Sequence, residues 1–151
     1  MFPIEFENSG TTPVPTGRIQ IGHAEKPFTE ELPNGFDFPP DDSGGGLHSI
    51  VIGPKASTAV NFNIPTEALV KIQDRKVHWF IWGSLVYRDI FATTPVRVSE
   101  FCIEINGIKH RSNTIAPEFN NPTTQIVPNY GICKEHNCYD ERCTDYAKMA
   151  R

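Results

Sequence analysis

The chain has 151 residues, within the range of a single domain and enough to bury a real core. Thirteen prolines and eleven glycines beside 38% hydrophobic and 11% aromatic residues describe a folded chain with many turns. Fourteen Lys and Arg against eighteen Asp and Glu give a net charge of -4, which argues against a large counterion-releasing footprint for nucleic acid.

The start, Met1-Phe2-Pro3-Ile4-Glu5-Phe6, carries no basic segment followed by an apolar run, and no window of about 18 apolar residues occurs, so the chain as given reads as soluble. Residues 1 to 46 hold much of the Pro and Gly and read as turns and edge strand, with short strands at Ile4 to Asn8 and Arg18 to His23. Asp41-Asp42-Ser43-Gly44-Gly45-Gly46 reads as a surface loop. With Asp37 nearby, Asp41 and Asp42 offer hard oxygens for calcium, but the spacing matches no EF-hand and a solvated acidic loop is the simpler reading. The Gly run lacks the Lys-Ser/Thr of a phosphate loop.

Strand signals resume at His48 to Ile52 and Thr58 to Ile64, where Val60, Phe62 and Ile64 alternate with polar or small residues. Thr66 to Asp74 can form a short helix with Thr66 as N-cap. The best strand is Val77 to Tyr87. Val77, Trp79, Ile81, Leu85 and Tyr87 share one face and Phe80, Trp82 and Val86 the other, which predicts a central strand covered on both sides. Arg97 to Ile105 puts Phe101, Ile103 and Ile105 inward and Glu100, Cys102 and Glu104 on a more solvated face. Asn106-Gly107 then reads as a two-residue hairpin turn leading into a strand from Ile108 to Asn113. The expected fold is an all-β, antiparallel, immunoglobulin-like β-sandwich over residues 1–130, with a closed barrel as the alternative, and a Cys-rich tail over residues 131–151 packed on it.

The four cysteines are Cys102, Cys133, Cys138 and Cys143. With His136, the last three have the number and softness for tetrahedral zinc, and Glu135, Asp140 and Glu141 stand by to support the ligands, although the spacing is compressed for a zinc finger. The competing reading pairs Cys138 or a neighbour within the tail and sends another cysteine to Cys102. No two histidines among His23, His48, His78, His110 and His136 have zinc-hydrolase spacing. His78 reads as a sheet-surface residue, and the other four read as solvated. Arg88 and Asp89 close the aromatic strand and are expected to form a structural ion pair at its rim. An enzymatic reading would need a pocket gathering Tyr87, Arg88, Asp89 and a distant His.

Trp82-Gly83-Ser84-Leu85-Val86-Tyr87-Arg88-Asp89-Ile90-Phe91, followed by Ser99-Glu100-Phe101-Cys102 and preceded by Asn8-Ser9-Gly10-Thr11-Thr12-Pro13, resembles a family of uncharacterised proteobacterial envelope proteins. The likeness runs from about Ile4 to Ile105. It implies an extracytoplasmic β-rich domain that follows one or two membrane helices, here without that anchor. It carries no activity. An oxidising periplasmic setting favours disulfides over zinc. The resulting expectation is a non-enzymatic binding or structural module of the envelope, without a cofactor, that meets a protein or envelope component through the loops bearing Asp37, Asp41, Asp42, Arg88 and Asp89. The alternative is a zinc-binding or thiol-redox protein using Cys133, His136, Cys138 and Cys143.

Overall fold

The computed structural model describes residues 2–33, 47–91, 93–112, 124–143 and 146–149. The chain is all-β and antiparallel, in two sheets of unequal size. Strands β1 (Phe2–Glu7) and β4 (Ser57–Phe62) form a two-stranded ribbon. The large sheet runs β3 (Leu47–Ile52), β2 (Val14–Pro27), β5 (Val77–Arg88), β6 (Arg97–Ser112) and β7 (Thr124–Ile132), and a short β8 (Cys138–Tyr139) also pairs with β6.

Helix α1 (Thr66–Gln73) buries Ala68 and Ile72, four residues apart on one stripe. Its N-cap is Pro65, which makes no side-chain cap bond, so Thr66 is the first helical residue rather than the expected cap. At the other end Arg75 takes a positive φ of 54° and the Lys76 N–H closes onto the Lys71 carbonyl at 2.9 Å, a Schellman-type stop.

The ribbon and α1 cover one face of the large sheet. Alternation in β1 turns Phe2, Ile4 and Phe6 inward, where they pack with Phe62, Ile64 and Ile72 against Ile19, Ile21, Trp79, Ile81 and Ile105. The opposite face carries a second cluster of Phe80, Trp82 and Cys102 under Leu32 and Cys133. Strand β5 is therefore central and buried on both sides from Val77 to Ser84, as its paired apolar faces predict.

Three further expectations change. Asn106-Gly107 is not a turn: β6 continues through it and pairs with β7, with a register shift between Ile105 and Gly107, and neither residue adopts positive φ. It is a bulge, which takes up one extra residue without reversing the chain. Strand β2 runs from Val14, well before Arg18, because twelve of its residues pair in register with β5, from Thr16↔Arg88 to Pro27↔Val77. A register shift between Val14 and Gly17 accommodates the Pro and Gly there. The face bearing Glu100 and Cys102 is not solvated. Glu100 is 5% exposed and Cys102 fully buried, because the C-terminal segment lies along it.

That segment caps the outer edge of β6 as β7 leaves it. Cys133 N–H bonds the Cys102 carbonyl at 3.1 Å, and Asn137 Oδ1 takes the Cys102 N–H at 3.1 Å. Strand β8 then pairs Cys138 with Glu100 and Tyr139 with Ser99, and Asp140 Oδ1 accepts the Val98 N–H at 3.0 Å. Side chains thus replace strand partners where the backbone departs, so few edge donors are left unmet. Disulfides Cys102–Cys133 and Cys138–Cys143 fasten the arrangement.

Candidate functional site

Residues 8–13, 82–91 and 99–102 converge in the fold. Gly83 and Phe101 are cross-strand partners, as are Trp82 and Cys102. A Cβ on Gly83 would lie 2.7 Å from the Phe101 ring and 2.5 Å from the Gln20 carbonyl, so this position must be glycine for the ring to lie across it. Asn8 holds the turn after β1: its Nδ2 donates to the Thr12 carbonyl at 2.8 Å and the Gly53 carbonyl at 3.1 Å, while its Oδ1 accepts the Gly10 N–H at 3.0 Å. Asp89 does the same after β5, accepting the Phe91 N–H at 2.8 Å.

These two turns flank a cleft of about 370 Å³ at one end of the sheets, bordered by Asn8, Gly10, Tyr87, Asp89, Arg97 and Ser99. Tyr87 and Arg97 are cross-strand partners at its wall. Arg97 Nη1 bonds Asp140 Oδ2 at 2.7 Å, which holds its guanidinium above its ordinary range. Burial pushes the Tyr87 phenol above its ordinary value of 10.0, the Asp140 and Asp89 charges add to this, and Arg97 opposes it. The cleft thus presents a protonated hydroxyl, a half-buried carboxylate and backbone groups of a tight turn, a set suited to recognising a polar ligand.

Arg88 and Asp89 form no ion pair with each other: Arg88 lines a neighbouring cleft of about 250 Å³ with Thr16, Arg18 and Val86, whereas Asp89 lines the larger one. Adjacent residues in extended chain diverge, so the expected rim pair is replaced by an Asx turn at Asp89. Among the described residues no histidine lines the cleft that holds Tyr87 and Asp89. Asp37, Asp41 and Asp42 lie outside the described residues.

A third cleft, of about 300 Å³, sits on the other face between residues 28–33 and Cys133 to Glu135. His78 is at its floor and 4% exposed, not at the sheet surface. Its burial is possible because Nδ1 meets Glu104 Oε1 at 2.6 Å and Nε2 donates to the Glu30 carbonyl. Phe80 and Phe28 pack against the ring. His23, expected in solvent, stacks on Trp79 with ring centroids 5.2 Å apart and meets Phe62 edge-on. His48 is exposed as expected, and the side chain of His110 lies outside the described residues.

The tail does not gather all four residues expected for zinc. Cys133 is bonded to Cys102, and Cys138 is bonded to Cys143. His136 Nδ1 bonds Glu100 Oε2 at 2.9 Å, and that pair is almost wholly buried. Glu100, read from alternation as a solvated residue, instead brings a carboxylate oxygen within 4.8 Å of both sulfurs of Cys138 and Cys143. Only the return of a segment some forty residues later buries it, and no local pattern carries that information.

Among the described residues no helix is long and apolar enough to cross a membrane. Two intrachain disulfides fit an oxidising, extracytoplasmic environment. No family model, curated protein or solved structure matches the chain.

Proposed function

We propose that this chain is a non-enzymatic binding or structural module of the bacterial cell envelope, the periplasmic domain of a membrane-anchored protein. In this reading it recognises an envelope component in the cleft between the Asn8 turn and Asp89. The observation that carries it is the pair of disulfides, Cys102–Cys133 tying the C-terminal segment to β6 and Cys138–Cys143 closing a loop within that segment, an arrangement stable where thiols are oxidised. The cleft beside Tyr87 supports the binding part, since it is polar and held by the two Asx-type turns.

The test has two arms. Protein recovered from its native cells and alkylated under denaturing conditions takes up no alkyl groups before reduction and four after it; four reactive thiols at the outset would remove the extracytoplasmic reading. Soluble envelope fragments, peptidoglycan-derived and lipopolysaccharide-derived, raise the melting temperature of the wild type but not of Tyr87→Ala. An equal response of the two proteins would remove the cleft as the binding surface.

A further inference from the structure

Glu100 is an unusual occupant of the sheet face it stands on. Its side chain is 1% exposed, it lies across from Ser84 in the β5–β6 register, and Trp82 and Cys102 are neighbours on the same face. One carboxylate oxygen, Oε2, is engaged by His136. The other, Oε1, is buried with no hydrogen-bond partner among the described residues. A buried carboxylate oxygen left unmet is costly unless a cation or donor compensates it. What stands beside this carboxylate is the sulfur pair of Cys138 and Cys143. The loop that carries the pair is folded back by positive φ at His136 (59°) and Asp140 (50°).

We propose that Cys138, Cys143 and Glu100 form a redox-gated site for a divalent metal of the zinc class, closed by the disulfide and opened by its reduction. A dithiol reductant transfers two electrons and two protons to the disulfide, breaking the S–S bond to give two thiols while it becomes a disulfide itself. Metal binding then displaces the two thiol protons to solvent. Two thiolates and a carboxylate are three protein ligands of the softness and charge that zinc takes, with the fourth position filled by water. The three ligand atoms already lie within 4.8 Å of one another. Tetrahedral zinc with bonds of about 2.0–2.3 Å needs separations of roughly 3.5 Å, so small side-chain movements complete the set. His136, bonded to Glu100 Oε2, is a positioning residue that orients the carboxylate.

The second disulfide is not equivalent. Each bridge joins a buried cysteine, Cys102 or Cys143, to a half-buried one, Cys133 or Cys138, but Cys138–Cys143 lies wholly within the C-terminal segment whereas Cys102–Cys133 ties that segment to β6. Opening Cys138–Cys143 alone therefore leaves the tail held to β6 by Cys102–Cys133. The ligand set also differs from one built on Cys133, because Cys133 is committed to Cys102 and the carboxylate takes its place.

The test uses the full chain, oxidised or reduced with a phosphine, and Zn²⁺ or Co²⁺ alone as the probe. Native mass spectrometry is expected to find one zinc on the reduced chain and none on the oxidised one. Cobalt should give a near-ultraviolet thiolate-to-metal band with the visible bands of tetrahedral coordination. Zinc should protect Cys138 and Cys143 of the wild type from iodoacetamide, mapped by peptide mass, and should not protect Cys102 or Cys133. Glu100→Gln should keep the thiolate band and bind at least about tenfold more weakly. Any of three results overturns the proposal: no metal on the reduced chain, protection falling on Cys102 and Cys133 instead, or undiminished affinity in Glu100→Gln. The protection experiment needs no variant, so it decides the matter even if Glu100→Gln folds poorly.

Discussion

Single positions in this fold are set by what crosses from the neighbouring strand. Gly83 faces Phe101 on the side of the ribbon, and Gly22 faces Trp82 on the other, where an added Cβ would come within 2.7 Å of the indole nitrogen. The two glycines differ in what would have to yield. At Gly83 the obstruction includes the Gln20 backbone carbonyl at 2.5 Å, which cannot swing away as a side chain can. Gly83→Ala is therefore expected to lower the unfolding free energy by about 3 kcal/mol in urea denaturation, through overpacking and displacement of the β2–β5 pairing. A loss below ~1 kcal/mol would mean that the Phe101 ring does not cover this site. Tyr87 carries a pH signature of its own. Its proton is held more tightly in the folded chain than in the unfolded one, so its contribution to stability is whole below pH 10.0 and is lost as pH rises through the raised folded value. Stability measured at increasing pH above 10.0 should thus fall less steeply for Tyr87→Phe than for the wild type. Parallel curves would show that the hydroxyl is not buried beside Asp140.

At the scale of elements, the outer edge of β6 is where local pattern and observed structure part. Gly107 lies within a bulge opposite β7, and a Cβ there would meet Asn129 Cβ at 3.6 Å, an ordinary contact. Gly107→Val should change stability by less than about 0.5 kcal/mol, since β-branching suits a strand, whereas a turn with positive φ would lose more than ~1 kcal/mol. Asp140 is the opposite case, a short acidic side chain that receives both the Val98 N–H and the Arg97 guanidinium. Asp140→Ala leaves the buried Val98 N–H unmet, while the half-exposed Arg97 turns to solvent, and is expected to cost about 2 kcal/mol and to speed amide exchange at Val98. Exchange unchanged at Val98 would remove Asp140 as an edge cap.

The same elements show what a sequence reader can and cannot see. Strand β5 was legible because its alternation and aromatic content are local properties. The extent of β2 was not, because its length is set by pairing with β5, and Pro15 and Gly17 disguise its start. Asn106-Gly107 carries the strongest short hairpin signal and was overruled by a partner strand beginning at Thr124. Cys102 was legible as a partner for the tail. Glu100 was not legible as part of a site, because alternation reports a face and not what later covers it.

At the scale of the whole molecule, the large sheet is covered from two directions by unlike means. The ribbon and α1 cover one face by apolar packing that includes Phe62, Ile64 and Ile72. The C-terminal segment covers part of the other with a small cluster, several side-chain caps and two disulfides. With few apolar residues to hold it, this segment depends on covalent closure, and the two bridges contribute unequally. Cys102–Cys133 closes a span of 31 residues and Cys138–Cys143 a span of 5, so loop-closure entropy assigns them about 3–4 and about 2 kcal/mol. Replacing Cys102 and Cys133 by alanine also empties volume beside Trp82 and Phe80, and in the shorter bridge Cys143 is buried as well, so the span difference is what separates the two. The double variant Cys102→Ala/Cys133→Ala should therefore lose at least ~1.5 kcal/mol more in denaturant titration than Cys138→Ala/Cys143→Ala. It should also release the tail, seen as loss of amide protection at Val98 and Glu100 before global unfolding. If the short-span variant proves the less stable of the two, the tail is held chiefly by the buried Glu100–His136 contact and the Asp140 cap, and the long bridge only follows a segment already seated.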